Sequence, residues 1–283
     1  MEFATRCASS AGLDLANSDV FVDGRGAHNL VLVDQRRGQV WRFPRGEDGC
    51  AALSDSASRL AMLGSHGVPV PRVLDIRLAE RPGDGYLLLT FVPGVALDGL
   101  DTSSLSGSAQ DRLAESLIAA VELAHGVPVE GWPSRGQSWQ GIWSSLLGEV
   151  LACEELPADL LEAHHNLAAD AVEAARLAPI GVFHGDLGGV NIRIDPEAGM
   201  VSGLLDWDSA AIGDTATDIA AVLAGLGRGM ADVVRARSPR WRAEELRYHT
   251  YVRTWPIQSF LWSLRSGSAQ DQREAFARLT RSQ

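Results

Sequence analysis

The feature that most limits the fold of this 283-residue chain lies in its second half. There a helical pattern is interrupted by FHGDLGGVNIRIDPEAGMVSGLLDWD, Phe183 to Asp208. NIRID and VSGLLD flank PEAGM, where Pro196 and Gly199 specify a turn, so the segment reads as a loop followed by a β-hairpin. A hairpin brings its two ends together. Asn191 at its start and Asp206 at its end therefore lie side by side despite their separation in sequence. Asp186 stands five residues before Asn191 on the incoming loop. Two carboxylates and an amide thus converge on one hairpin mouth, an arrangement that a bundle of helices alone does not supply.

The flanking patterns set the architecture. VFV at 20–22, NLVLV at 29–33 and QVWRF at 39–43 are short branched and aromatic runs separated by glycine-bearing turns, the signature of an antiparallel sheet. A helix is expected from about Cys50 to Leu63. Pro69 and Pro71 in VPVPRVLDIRL then favour an extended entry into a strand. YLLLTFV is apolar throughout and reads as a strand buried on both faces, stopped by Pro93 and Gly94. From there the pattern turns helical: DRLAESLIAAVELAHG, two further helices in 141–177 broken near Pro157, and helices from Asp214 onward with breaks near Pro239 and Pro256. The expectation is an α+β chain, residues 1–93 forming a small antiparallel-sheet lobe and 94–283 a larger, mainly helical one.

Composition narrows the function classes. All 25 residues in the Lys+Arg count are arginine, so chemistry that needs an ε-amine, such as a Schiff base or a lysine nucleophile, is excluded. The net charge of −11 argues against an extended nucleic-acid surface. Residues 98–173 carry thirteen acids against two arginines, which suits either solvated helix faces or a cationic small substrate. Cys7, Cys50 and Cys153 show no metal-ligand or disulfide spacing. No apolar run approaches the length of a membrane span and no leader pattern is seen, so the expected setting is cytoplasmic and reducing, without a membrane partner.

One carboxylate beside one amide suits Mg²⁺, which takes few protein ligands and completes its shell with water and substrate phosphates. With Asp186 at the loop edge as a proton acceptor, these are the parts that move a phosphoryl group to a hydroxyl. The spacing also fits H-x-D-L-x-x-x-N followed by a metal-binding Asp, here His184, Asp186, Leu187, Asn191 and Asp206. With GDTATDIA at 213–220, the region resembles the aminoglycoside phosphotransferase family, and GRGAHNLVLVDQRRGQVWRFPR, VPVPRVL and LAHGVP extend the likeness over the chain.

The resemblance implies a bilobal protein-kinase-like fold that transfers the γ-phosphoryl group of ATP or GTP, with Mg²⁺, to a hydroxyl of an aminoglycoside, macrolide or related compound. A choline- or homoserine-type metabolite kinase of the same fold and a nucleotide-binding pseudokinase are the alternatives; a metal-dependent hydrolase lacks a second metal cluster. Asp186 would be the catalytic base or hydroxyl-orienting group, and Asn191 and Asp206 the metal ligands. The strand lysine that normally holds the α and β phosphates is replaced by Arg42, whose paired acid falls at Asp55 or Ser56, neither of them the expected glutamate. The base would be read at Thr90 to Val92, and the segment Gly24 to Asn29 would arch over the phosphates. Asp218 would hold the catalytic loop from beneath.

Other residues have local readings. His184 is expected to pack rather than to act as an acid, and Asp214 to cap the following helix. Asp208 stays open between a partner of the metal site, a substrate-contacting acid and a solvated residue. Trp132, Trp139, Trp143, Trp241, Trp255 and Trp262 read as helix-packing core, and His164 and His165 as exposed helix.

Overall fold

The computed structural model describes residues 2–15, 20–23, 29–45, 49–79, 81, 83–133, 138–266 and 268–281. Its front is a five-stranded antiparallel sheet of order β1-β2-β3-β5-β4, made of β1 (Val20–Asp23), β2 (Asn29–Asp34), β3 (Gln39–Pro44), β4 (Val73–Arg77) and β5 (Tyr86–Thr90). The period of two in a strand divides its side chains between two covers. Leu30, Leu32, Trp41 and Phe43 pack with Tyr86 and Leu88 against α1 (Glu2–Ala11), through Cys7 and Ala8. Leu87 and Leu89 face the other way and join Leu53, Leu60 and Leu63 of α2 (Gly49–Ser65) in the main core. β5 is thus covered on both sides, as its unbroken apolar run requires. The cover on one side is α1, a helix the strand-rich reading of the front did not include.

The same alternation decides where Arg42 goes. It lies between Trp41 and Phe43, on the α2 side of the sheet, opposite Val31 of β2 and Leu87 of β5. Asn29, two positions before Val31, shares that side.

The back of the molecule holds α3 (Gly107–His125), α4 (Trp139–Leu151), α5 (Ala158–Leu177), α6 (Ala216–Gly225), α7 (Arg228–Arg237), α8 (Pro239–Val252), α9 (Trp255–Ser266) and α10 (Ala269–Arg281). Helix starts follow capping chemistry: Ser138 Oγ accepts from Gly141 N at 3.1 Å, and Ser238 caps α8 ahead of Pro239. Between the helices, β6 (Val95–Ala96), β8 (Ile192–Asp195) and β9 (Met200–Leu204) form a small sheet containing the expected hairpin. β7 (Ile180–Phe183) and β10 (Ala211–Asp214) form a second antiparallel pair just outside it. The sequence reading had helix resuming at Asp214; the chain first makes β10, and α6 begins at Ala216.

Three local readings change. His164 is not exposed: it is 1% accessible, on the buried stripe Leu160, His164, Ala168, Ala171 and Ala175 of α5. Trp132, Trp139, Trp143 and Trp241 are core, but Trp255 and Trp262 are 52% and 59% exposed because they occupy the face of α9 opposite Ile257, Phe260 and Leu261. Trp143 stacks on Tyr251 with ring centroids 4.6 Å apart, and Trp139 meets Phe183 edge-on at 5.5 Å. Among the described residues, no helix is long and apolar enough to cross a membrane.

Candidate active site

The loop from His184 to Asn191 leaves β7 under tight restraint. Gly185 has φ 82°, and a Cβ there would stand 2.6 Å from the Ser209 carbonyl oxygen, so only glycine fits. Beneath the loop, the buried Asp218 of α6 accepts from His184 N at 2.7 Å and Gly185 N at 3.0 Å, and its Oδ2 lies 3.1 Å from His125 Nε2 of α3. His184 is also buried. Its Nδ1 accepts from Asp186 N at 3.2 Å, which leaves Nε2–H to donate to the Leu205 carbonyl at 2.6 Å, and its ring packs on Trp207. His184 therefore ties the loop to the strand leaving the hairpin and has no nitrogen free for acid chemistry. Asp214 caps the first turn of α6 through Ala216 N at 3.0 Å, and Arg247 and Tyr251 of α8 clamp it by three bonds of 2.7 to 2.9 Å.

These restraints leave Asp186 with an exposed carboxylate at the loop edge. Asn191 Nδ2 donates to the Asp186 carbonyl at 2.8 Å and lies 3.4 Å from its Oδ2, which leaves the Asn191 amide oxygen as the free acceptor of that side chain. Leu205 N donates to the Asn191 carbonyl at 2.8 Å, so the hairpin mouth places Asn191 beside the residue preceding Asp206. Asp206 is the only non-glycine with positive φ among the described residues (φ 60°, ψ 64°). Aspartate enters this left-handed region more readily than most residues, and here the conformation turns the chain out of the hairpin.

The opposite wall comes from the front sheet. Arg42 Nη2 bonds Asp206 Oδ1 at 3.0 Å and Asp208 Oδ2 at 2.5 Å. Asn29 Nδ2 donates to Asp208 Oδ2 at 2.9 Å, and Ser56 Oγ to Asp208 Oδ1 at 2.5 Å. Burial alone would raise the Asp208 carboxyl; the Arg42 charge, with the bonds from Ser56 and Asn29, outweighs it and holds the group below the ordinary carboxylate value. Arg59, one turn beyond Ser56 and buried, donates to the carbonyls of Trp207, Asp208 and Pro133. Arg59 was not singled out in the sequence, although its i,i+3 spacing from Ser56 puts both on one helix face.

Asp186 and Asn191 are thus bonded to each other, Arg42 joins Asp206 and Asp208, Asn29 joins Asp208, and the Leu205–Asn191 backbone bond ties the two groups at the hairpin mouth. Thr90 and Val92 stand at the end of β5: Thr90 Oγ1 accepts from Arg72 N at 2.9 Å, Phe91 N donates to the Gly38 carbonyl at 2.8 Å, and Val92 packs over Gly203. Of the segment Gly24 to Asn29, residues 24–28 lie outside the described residues.

A family model described as the phosphotransferase enzyme family matches residues 19–259. The chain is 32% identical over 203 residues to streptomycin 3''-kinase of Streptomyces griseus, covering 66% of this chain and 70% of that protein. It is 26% identical to viomycin phosphotransferase of Streptomyces vinaceus over 87% of this chain and 85% of that one. A solved structure of an aminoglycoside 2'-phosphotransferase of type IIIa in complex with GDP superposes with a TM-score of 0.75 at 20% identity, over 99% of this chain and 97% of that one. The loop, the hairpin and the match over most of the chain agree: this chain belongs to the phosphotransferase enzyme family.

Proposed function

We propose that this chain is a small-molecule kinase that transfers the γ-phosphoryl group of ATP or GTP to a hydroxyl of an aminoglycoside or a related antibiotic. The observation that carries the reading is the hairpin mouth, where Asn191 is bonded to Asp186 and, through its carbonyl, to the residue before Asp206, with Arg42 of the sheet bonded to Asp206. Residues 1–93 would hold the nucleotide, and residues 94–283 would supply the catalytic loop and the acceptor site.

The donor set fits Mg²⁺. Asp206 has a half-exposed carboxylate and Asn191 an amide oxygen left free by its own N–H bonds, while no group of three or more His, Cys, Asp or Glu side chains among the described residues could hold a metal ion. Two hard oxygen ligands, with the remainder from water and phosphate, is the set Mg²⁺ accepts. When bound, the ion would neutralise charge on the phosphates.

The residues then divide the work. Asp186 orients the acceptor hydroxyl and takes its proton as the oxygen–phosphorus bond forms and the bond to the nucleoside diphosphate breaks. Phosphoryl transfer has a loose transition state, so placement counts for more than the strength of the base. Arg42 supplies the positive charge that a strand lysine would otherwise give, and Asn29 flanks it. Because the N–H groups of Thr90 and Phe91 are already engaged with Arg72 and Gly38, the backbone donor for the base would be that of Val92.

The acid excess of residues 98–173 matches a polycationic acceptor, and the streptomycin kinase relative supports the aminoglycoside class. The test is a phosphate-transfer screen with ATP and GTP over aminoglycosides, viomycin, macrolides, choline and homoserine. Transfer to an aminoglycoside is expected. Turnover of choline or homoserine alone would replace the acceptor class, and nucleotide binding without transfer to any acceptor would replace the kinase reading.

A further inference from the structure

The front lobe poses a problem that the phosphotransfer reading leaves open. A cation meant to hold phosphates must itself be held, and α2 offers no glutamate at the position where a partner is expected. It carries Ser56 and Arg59 instead, two donors one turn apart on one face. Donors need an acceptor, and the acceptor is Asp208. Its Oδ1 takes Ser56 Oγ at 2.5 Å; its Oδ2 takes Arg42 Nη2 at 2.5 Å and Asn29 Nδ2 at 2.9 Å. Its backbone carbonyl takes Arg59 Nη1 at 2.8 Å, while the adjoining Trp207 is buried against His184 with Nε1–H on the Leu204 carbonyl at 3.1 Å.

Both oxygens of Asp208 are therefore engaged by side chains from the front sheet and its helix, which leaves this carboxylate poorly placed to ligate a metal or a substrate. We propose that Asp208 is the positioning carboxylate for Arg42: the residue two beyond Asp206 holds the strand cation, and the pair spans the two lobes. The inference rests on the phosphotransfer reading for its purpose, not for the existence of the pair.

The geometry gives Asp208 a specific task. Arg42 also bonds Asp206 at 3.0 Å. A guanidinium held by Asp206 alone would compete with a divalent cation for that carboxylate. With Asp208 as a second anchor, Arg42 stays in place when Asp206 is given over to a metal. Both bonds come from Nη2, so the remaining guanidinium nitrogens are left for phosphate.

The experiment is a double-mutant cycle on Arg42→Ala and Asp208→Asn, read in three ways: urea unfolding without nucleotide, equilibrium binding of Mg–ATP and Mg–GTP, and the Mg²⁺ concentration giving half-maximal binding. Without nucleotide, the two substitutions are expected to be non-additive in unfolding. Asp208→Asn is expected to weaken nucleotide binding roughly 10- to 100-fold when Arg42 is present. In the Arg42→Ala background the same change should cost less than about twofold, and the Mg²⁺ midpoint should not move. Ser56→Ala, which removes one donor to Asp208 and keeps the charge, should give a smaller loss that again depends on Arg42.

Equal losses of binding in both backgrounds, or a Mg²⁺ midpoint displaced by Asp208→Asn when Arg42 is already alanine, would overturn the assignment and make Asp208 part of the metal site. If the wild-type chain binds neither ATP nor GTP, the phosphotransfer reading fails, and the unfolding cycle still decides the pair: additivity there overturns it.

Discussion

Asp218 makes the most demanding structural prediction because it is buried, far from solvent, and accepts from three groups that have few alternatives. Asp218→Asn keeps its size and removes one acceptor oxygen. In one orientation the new amide nitrogen faces Gly185 N; in the other it faces His184 N and His125 Nε2. Either way at least one buried N–H is set against another donor. A buried donor left without its partner costs about 1–3 kcal/mol, and at about 2–4 °C per kcal/mol for a chain of this size class the thermal midpoint should fall by about 2–12 °C.

The protein should still fold, since native stabilities run to about 5–15 kcal/mol. The loop carrying Asp186 would lose its support, and a misplacement of about 1 Å at a reacting group can cost on the order of 100-fold in rate. The expected pattern is a turnover loss of about 10- to 100-fold with nucleotide affinity within about threefold of wild type, because Asp206 and Arg42 are held by other elements. Differential scanning calorimetry and steady-state kinetics on the leading acceptor measure both. A variant with wild-type midpoint and turnover would refute the reasoning that Asp218 carries the loop.

Three further substitutions test two separate parts of the scaffold. Arg247→Ala strips the buried Asp214 carboxylate of its paired cation and should cost about 3–5 kcal/mol, whereas Tyr251→Phe removes one hydroxyl bond from the same carboxylate and should cost about 1 kcal/mol in denaturant unfolding; equal effects would contradict the charge-pair account. His164 is buried with neither ring nitrogen bonded, and burial holds its pKa below the usual histidine value. The unfolded chain therefore takes up a proton at higher pH than the folded one, and stability is lost as pH falls below about 6.5. His164→Leu should remove that loss, so that the variant gains on wild type between pH 7.5 and pH 5.5; a pH-independent difference in thermal midpoint would show that His164 does not titrate in this way.

Much of this molecule is legible in its residues because local rules and the fold agree. Period-two runs and glycine turns place β1 to β3, Pro196 and Gly199 set the hairpin, and the hairpin alone brings Asn191 beside the approach to Asp206. The buried side chains of α5 fall at 160, 164, 168, 171 and 175, so the depth of His164 is written in spacing, although its polarity suggests a surface. Likewise Trp255 and Trp262 lie seven residues apart on the face of α9 that Ile257, Phe260 and Leu261 do not use.

What residues cannot declare locally is how separate lobes meet. Arg42 and Asp208 are 166 positions apart, and their bond depends on α2 bringing Ser56 and Arg59 against the turn at 207–209. The short β10, AIGD, has too few residues to show alternation and is paired only because β7 lies beside it. α1 is short and packs through small and half-buried residues, so its role as a cover for the sheet emerges only with Leu30, Leu32 and Trp41 in place.

In the proposed reaction, Asp186 receives the acceptor's proton at the hairpin mouth. Its most direct test is transfer of the γ-phosphoryl group by Asp186→Asn, measured beside nucleotide affinity in the same preparation. Transfer is expected to fall by at least about 100-fold while nucleotide binding stays at the wild-type level. Undiminished transfer in that variant would contradict this role for Asp186.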